Sequence, residues 1–194
     1  DLDPQGNATM GSGIDKRELE LSVYDVLLET ASIAEAAVRA DKCGYQVLGA
    51  NRELAGAEVE LVELERRDQR LKNALARVDR DFDFVLIDCP PSFNALTLTA
   101  WAASDRVLIV TEPGLFSVAA ADRALRAIEE VRRGLSPRLQ PLGIVMNRVR
   151  SQSLEHQFRI KELKDMFGPL ILSTYLPERT SLQQAQGAAR PVHA

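Results

Sequence analysis

Three stretches of the chain are apolar throughout rather than alternating with polar residues: Phe84–Ile87, Val107–Val110 and Leu142–Met146. Unbroken apolar runs of this length are how strands read when both faces of a parallel sheet are covered. Tyr45–Leu48 and Leu170–Thr174 carry a weaker form of the same signal. Helical signals fall between these runs. Ser22 with Asp25, Ser32 with Glu35 and Ser181 with Gln184 have the spacing of a capping box, in which a hydroxyl satisfies free backbone N–H groups at a helix start. Val118, Ala121, Leu125, Ile128 and Leu135 recur at steps of three, four and seven, giving one apolar stripe. Leu154–Phe167 predicts a helix stopped by Gly168-Pro169. The charge run Glu58–Arg70 predicts a solvated helix face with opposite charges three and four residues apart. Trp101, in an alanine-rich stretch, is expected to pack under a helix.

Strand–helix alternation of this kind predicts an α/β fold, doubly wound, with a mostly parallel sheet flanked by helices. A chain of 194 residues fits one domain, 1–194, with a sizeable core. The chain shows no internal repeat, low-complexity tract or linker. Its composition, 45% hydrophobic and 27% charged, is that of an ordinary soluble protein. No apolar run approaches membrane-spanning length, and no signal-peptide pattern opens the chain, so a cytoplasmic setting is expected. Cys43 and Cys89 supply no framework of disulfides or metal ligands.

Charge changes the picture more than composition does. Residues 1–114 hold 12 Lys/Arg against 21 Asp/Glu, and residues 115–194 hold 12 against 7. An acidic stretch followed by a basic one permits nucleic-acid contact by the second, and equally describes two solvated surfaces of opposite bias.

Two segments carry candidate chemistry. Asp1-Leu2-Asp3-Pro4-Gln5-Gly6-Asn7-Ala8-Thr9 places two carboxylates, a proline-fixed turn and small polar residues in a row. Such a loop can present an acid to a metal-bound phosphate and its attacking water, although Asp, Pro, Gly and Asn also favour turns for local reasons. Phe84-Val85-Leu86-Ile87-Asp88 is an apolar run ending in one carboxylate, the Walker B arrangement, suited to holding Mg²⁺ directly or through water. Pro90-Pro91-Ser92 then makes a stiff turn beside the expected γ-phosphate position.

With these residues the chain resembles the ParA/MinD family of deviant-Walker ATPases, and most of all its chromosome- and plasmid-partitioning members. DLDPQGNAT resembles the family's switch I, ANRELAGAEVEL (Ala50–Leu61) a helix start, and LIDCPPS switch II. GLSPRLQPLGIVMNRV (Gly134–Val149) resembles the approach to the adenine site, and LPERTSLQQAQGAARPV (Leu176–Val192) the C-terminal signature. The resemblance implies a P-loop NTPase fold with ATP and Mg²⁺ as cofactors. It implies that Asp3 orients the attacking water near the metal, that Asp1 supports the loop, and that Asp88 acts on Mg²⁺. Asn147, with Arg148 beside it, would meet the adenine edge, Pro177 would lie against the base, and Pro91 would stand near the phosphates. Arg148, Arg150, Arg159, Lys161, Lys164, Arg179 and Arg190 would bind DNA without sequence preference in a nucleotide-bound homodimer. A ParB-like partner would stimulate hydrolysis, on the nucleoid and away from membranes.

The chain also departs from the family pattern. It holds no K-G-G-x-G-K-T loop, so the P-loop strand and helix are absent from these residues, along with the backbone cradle and lysine they supply. Glu112–Ala120 replaces an acidic and aromatic segment, and Phe93-Asn94-Ala95 differs from the small and aliphatic residues usual after switch II. Asp1 falls where a strand should end and Pro191–Ala194 stops without a closing helix, so truncation at both ends is expected. The alternatives are a MinD-like membrane-cycling regulator of division, which needs a C-terminal amphipathic helix, and a non-catalytic module if the 194 residues act alone. Cys89 is expected to fill space beside switch II, and His156 and His193 to lie on the surface.

Overall fold

The helices expected to start at Ser22 and Ser32 and to span Leu154–Phe167 form where their end signals stand. The computed structural model describes residues 1–189 and 192, the side chains at 58, 59, 62 and 63 excepted. Two compact units result: Asp1–Ala103 with the described residues from Gln183 onward, and Ser104–Leu182.

In the first unit, α1 spans Asn7–Gly11, α2 Val23–Leu27 and α3 Ile33–Ala36. Both capping boxes are complete: Ser22 with Asp25 opens α2 and Ser32 with Glu35 opens α3. Each supplies acceptors to N–H groups that a helix start leaves free, and a cap of this type contributes about 1 kcal/mol. β1 (Ala37–Ala40) and β2 (Tyr45–Leu48) form an antiparallel hairpin, with Ala37 opposite Leu48 and Ala40 opposite Tyr45. Gly44 turns it at φ +76°. α4 (Leu54–Glu63), α5 (Arg70–Ala76) and α6 (Ala95–Ala103) follow. Leu2, Val23, Leu27, Leu54, Leu61 and Leu96 are fully buried and make the heart of this unit.

Two expectations are corrected here. Phe84–Ile87 joins no strand ladder among the described residues, and Phe84 and Leu86 are 87% and 92% exposed. An apolar run becomes a buried strand only when neighbours supply backbone partners and cover, and this run has neither on the side it exposes. The charge run Glu58–Arg70 is not one helix face. α4 ends at Glu63, Arg66 takes a left-handed φ of +53°, and a 3-10 turn at Arg67–Gln69 leads into α5. Trp101 lies within α6 and is buried, 7% exposed, with Phe93 edge-on at 5.5 Å between ring centres.

In the second unit β3 (Arg106–Thr111), β4 (Gln140–Val149) and β5 (Ile171–Pro177) form a parallel sheet in the order β3-β4-β5. α7 (Ser117–Gly134) connects the first pair and α8 (Leu154–Phe167) the second, so parallel pairing follows from helical crossovers as the sequence pattern requires. Ile109 and Thr111 of β3 are buried while Leu108 and Val110 are exposed. The run read as covered on both faces is therefore half-buried. Gly143 sits beside a register shift between β3 and β4, and a Cβ there would meet Leu172 at 2.8 Å. α8 keeps the predicted bounds, with Ser153 accepting from the His156 N–H at its start and Gly168 at φ +49° after its end. α9 (Thr180–Gly187) begins before Ser181, which is thus inside the helix and not its cap.

Candidate functional site

The loop Asp1–Thr9 is held by a relay of hydrogen bonds centred on Asp1 and Thr9. The Asp1 carboxylate accepts from the Asp3 N–H at 3.1 Å, from the Thr9 N–H at 2.9 Å and from the Thr9 hydroxyl at 2.7 Å. The Thr9 hydroxyl oxygen in turn accepts from the Ala50 N–H at 3.0 Å, and Thr9 is completely buried. A single side chain thus ties the loop, the first turn of α1 and the segment before α4. Gly6 makes the turn possible: at φ +61° it approaches so closely that a Cβ would stand 2.8 Å from the Ala50 carbonyl oxygen. Sequence reasoning named Asp1 and Asp3 but gave Thr9 no role. Its signal was a hydroxyl at the end of the acidic loop, and its partner Ala50 lies 41 residues on.

Asp3 points one carboxylate oxygen to the Gln5 N–H at 2.9 Å, while its carbonyl accepts from Gly6. Asp88 follows the exposed run Phe84–Ile87, and its carbonyl accepts from the Leu2 N–H at 2.8 Å, which brings the two acidic segments side by side. Partial burial holds the Asp88 carboxyl above its ordinary value. The charge of Asp3 adds to that rise, and the buried α-ammonium of Asp1 opposes it. Among the described residues no basic side chain forms an ion pair with either carboxylate. The Asp3 and Asp88 carboxylates are oxygen donors of the kind that a hard divalent cation such as Mg²⁺ takes. Cys89 is pushed up to about 11 by burial and then by the Asp88 charge, which makes it a poor nucleophile. Pro91 is exposed in the bend that follows.

The remaining predicted residues lie in the second unit. Asn147 is near the end of β4, with its side-chain oxygen accepting from the Arg148 N–H at 2.9 Å. Arg148 takes φ +52° and pairs with Glu112 at 3.1 Å. Pro177 ends β5, opposite Val149. The Arg150 guanidinium pairs with Glu178, whose carboxyl it holds below the usual range. The Arg150 N–H donates to His156 Nδ1 at 3.1 Å, so this histidine is engaged and not simply at the surface. Arg159 bridges Glu155 at 2.7 Å and Glu162 at 2.8 Å, and Lys161 faces Asp165 at 3.6 Å. Lys164 and Arg179 are exposed. Arg190 and His193 lie outside the described residues. No described helix is long and apolar enough to cross a membrane.

Parallel strands linked by helices, with an acidic loop beside a second acid that follows an apolar run, define an α/β protein of P-loop NTPase type. Known proteins agree. A family model described as an AAA domain matches residues 1–141. The chromosome partitioning protein ParA of Caulobacter vibrioides is 36% identical over 99% of this chain and 73% of its own length. The sporulation initiation inhibitor protein Soj of Bacillus subtilis is 33% identical over 99% of this chain and 76% of its own. A cobyrinic acid a,c-diamide synthase from Mycobacterium smegmatis, solved with an ATP analog and magnesium, superposes with a TM-score of 0.87. It is 34% identical over 97% of this chain and 78% of that one. The chain belongs to the ParA/MinD family of ATPases.

Proposed function

We propose that the protein is an ATP-dependent DNA-partitioning ATPase, which forms a homodimer with ATP and Mg²⁺ and binds DNA without sequence preference. The observation that carries this reading is the Asp1–Thr9–Ala50 relay, which fixes the loop bearing Asp3 alongside Asp88. Relatives named for chromosome partitioning support the biological role. Mg²⁺, when bound, neutralises charge on the transferred phosphoryl group. Asp88 would hold that ion, Asp3 would accept a hydrogen bond from the attacking water, and Asp1 would keep the loop in place. Asn147 and Arg148 would meet the adenine edge, with Pro177 against the base and Pro91 near the phosphates. Arg148, Arg150, Arg159, Lys161, Lys164, Arg179 and Arg190 would supply phosphate contacts, and a ParB-like protein would stimulate hydrolysis and release from the nucleoid.

The test is steady-state ATP hydrolysis by the full-length protein and its Asp3→Ala variant. Loss of a group that positions water lowers kcat about a hundredfold or more with folding intact. Full activity in the variant would remove Asp3 from the mechanism. For the DNA arm, ATP-dependent retention of DNA should weaken linearly in log salt; retention that ignores salt would count against a phosphate-binding surface.

A further inference from the structure

The segment after Asp88 runs through three residues with little backbone freedom. The rings of Pro90 and Pro91 fix φ at about −65°, and a following proline also restricts Cys89 and Pro90 to extended conformations. A short strut therefore joins Asp88 to Ser92, and whatever holds Ser92 bears on where Asp88 can stand. The Asp88 end is held by the Leu2 N–H, which donates to the Asp88 carbonyl at 2.8 Å.

The Ser92 end is held by α6. The Thr97 hydroxyl donates to the Ser92 carbonyl at 2.7 Å, although Ser92 itself is exposed. Thr97 is buried, and its own N–H donates to the Asn94 side-chain oxygen at 3.0 Å, so the hydroxyl is set in place from the helix start. Phe93, the residue after Ser92, lays its ring edge-on against Trp101, one turn beyond Thr97. Leu96, Thr97, Thr99, Ala100, Trp101 and Ala102 are all buried, which makes α6 a fixed support. Thr99 supplies a contrast. It is as buried as Thr97, but its hydroxyl donates to the Ala95 carbonyl at 2.9 Å and that bond stays within the helix.

We infer that Thr97 is a positioning residue for Asp88, acting through the Ser92 carbonyl and the proline strut, with the Phe93–Trp101 contact as a second fastening. The inference rests on the reading that Asp88 holds Mg²⁺. A carbonyl at the surface can bond to water instead, so the Thr97 bond adds little to stability and its effect falls on placement. Groups that orient a metal-holding side chain from behind change metal affinity or activity about 10–100-fold when they are removed.

The experiment uses the full-length protein and three variants: Thr97→Val, which keeps the shape and removes the donor, Thr97→Ser, which keeps the donor, and Thr99→Val. Without nucleotide, backbone ¹⁵N order parameters at Asp88, Cys89 and Ser92 should fall from about 0.85 to below about 0.6 in Thr97→Val and hold in the other two. In ATP hydrolysis, the Mg²⁺ concentration giving half the maximal rate should rise about tenfold or more in Thr97→Val alone. Phe93→Ala, at an exposed position, should move both readouts the same way, and it decides the matter if Thr97→Val does not fold. Unchanged order parameters and Mg²⁺ dependence in Thr97→Val would overturn the proposal. So would equal shifts in Thr99→Val, which a general loosening of α6 produces. A wild-type protein that hydrolyses no ATP would count against the ATPase reading instead, and the order parameters would still uphold or overturn the Thr97 anchor.

Discussion

Replacing Thr9 by valine isolates the hydroxyl that ties the acidic loop to the rest of the first unit. The side chain is fully buried and its volume is nearly unchanged, so packing contributes little to the effect. Two losses remain. The hydroxyl's bond to the Asp1 carboxylate at 2.7 Å is charge-assisted, and such bonds contribute about 1.5–3 kcal/mol. The Ala50 N–H, bonded at 3.0 Å, loses its acceptor in a buried setting, which costs about 1–3 kcal/mol. Since the Thr9 N–H still reaches Asp1, the expected destabilisation is about 3 kcal/mol, within a range of about 2–5. Thr9→Ser keeps both bonds and removes one methyl group, which costs about 1 kcal/mol. Urea unfolding followed by the fluorescence of Trp101, the single tryptophan, reads both variants from within the same unit. A double-mutant cycle with Asp1→Asn should return a coupling of about 1 kcal/mol or more. Equal losses in Thr9→Val and Thr9→Ser would refute the relay, because the hydroxyl would then carry nothing.

Gly6→Ala should cost about 2 kcal/mol or more through left-handed strain and a 2.8 Å approach to the Ala50 carbonyl, whereas Gly11→Ala, with open space around it, should be near neutral or stabilising. Matched urea midpoints for the two would contradict this. Asp88→Asn should raise the melting temperature at neutral pH. The folded-state pKa of Asp88 lies above its unfolded value, so its ionised form carries a stability cost that is complete above the folded pKa and absent below the unfolded one. The variant's advantage should therefore disappear as pH falls through the carboxylate range, and an advantage that persists in acid would rule out this cause.

What the sequence made legible was mainly local. The capping boxes at Ser22 and Ser32 and the stop at Gly168 are written within a few neighbouring residues, and α2, α3 and α8 form where those residues stand. β1 was missed because Ala37–Ala40 lacks a strand-like composition and exists through its hairpin with β2. Phe84–Ile87 failed for the opposite reason. Its composition is that of a buried strand, but pairing depends on segments far away, and period alone does not supply them. The acidic motifs were found by their residues, whereas the relay through Thr9 depends on Ala50 meeting a hydroxyl across the fold. Ser181 had cap-like spacing, yet α9 starts one residue earlier.

The arginines and lysine of the second unit have a consequence for any polyanion that meets them. Arg148, Arg150, Arg159 and Lys161 each already hold a carboxylate: Glu112, Glu178, Glu155 with Glu162, and Asp165. Such a surface works as an ion exchanger whose resident counterions are built into the chain. An arriving phosphate must displace a tethered rival as well as free salt, so binding gains less per contact than the count of basic residues suggests. Removing one of these glutamates should then act like adding a cation, which makes the acidic partners the dial on which affinity is set.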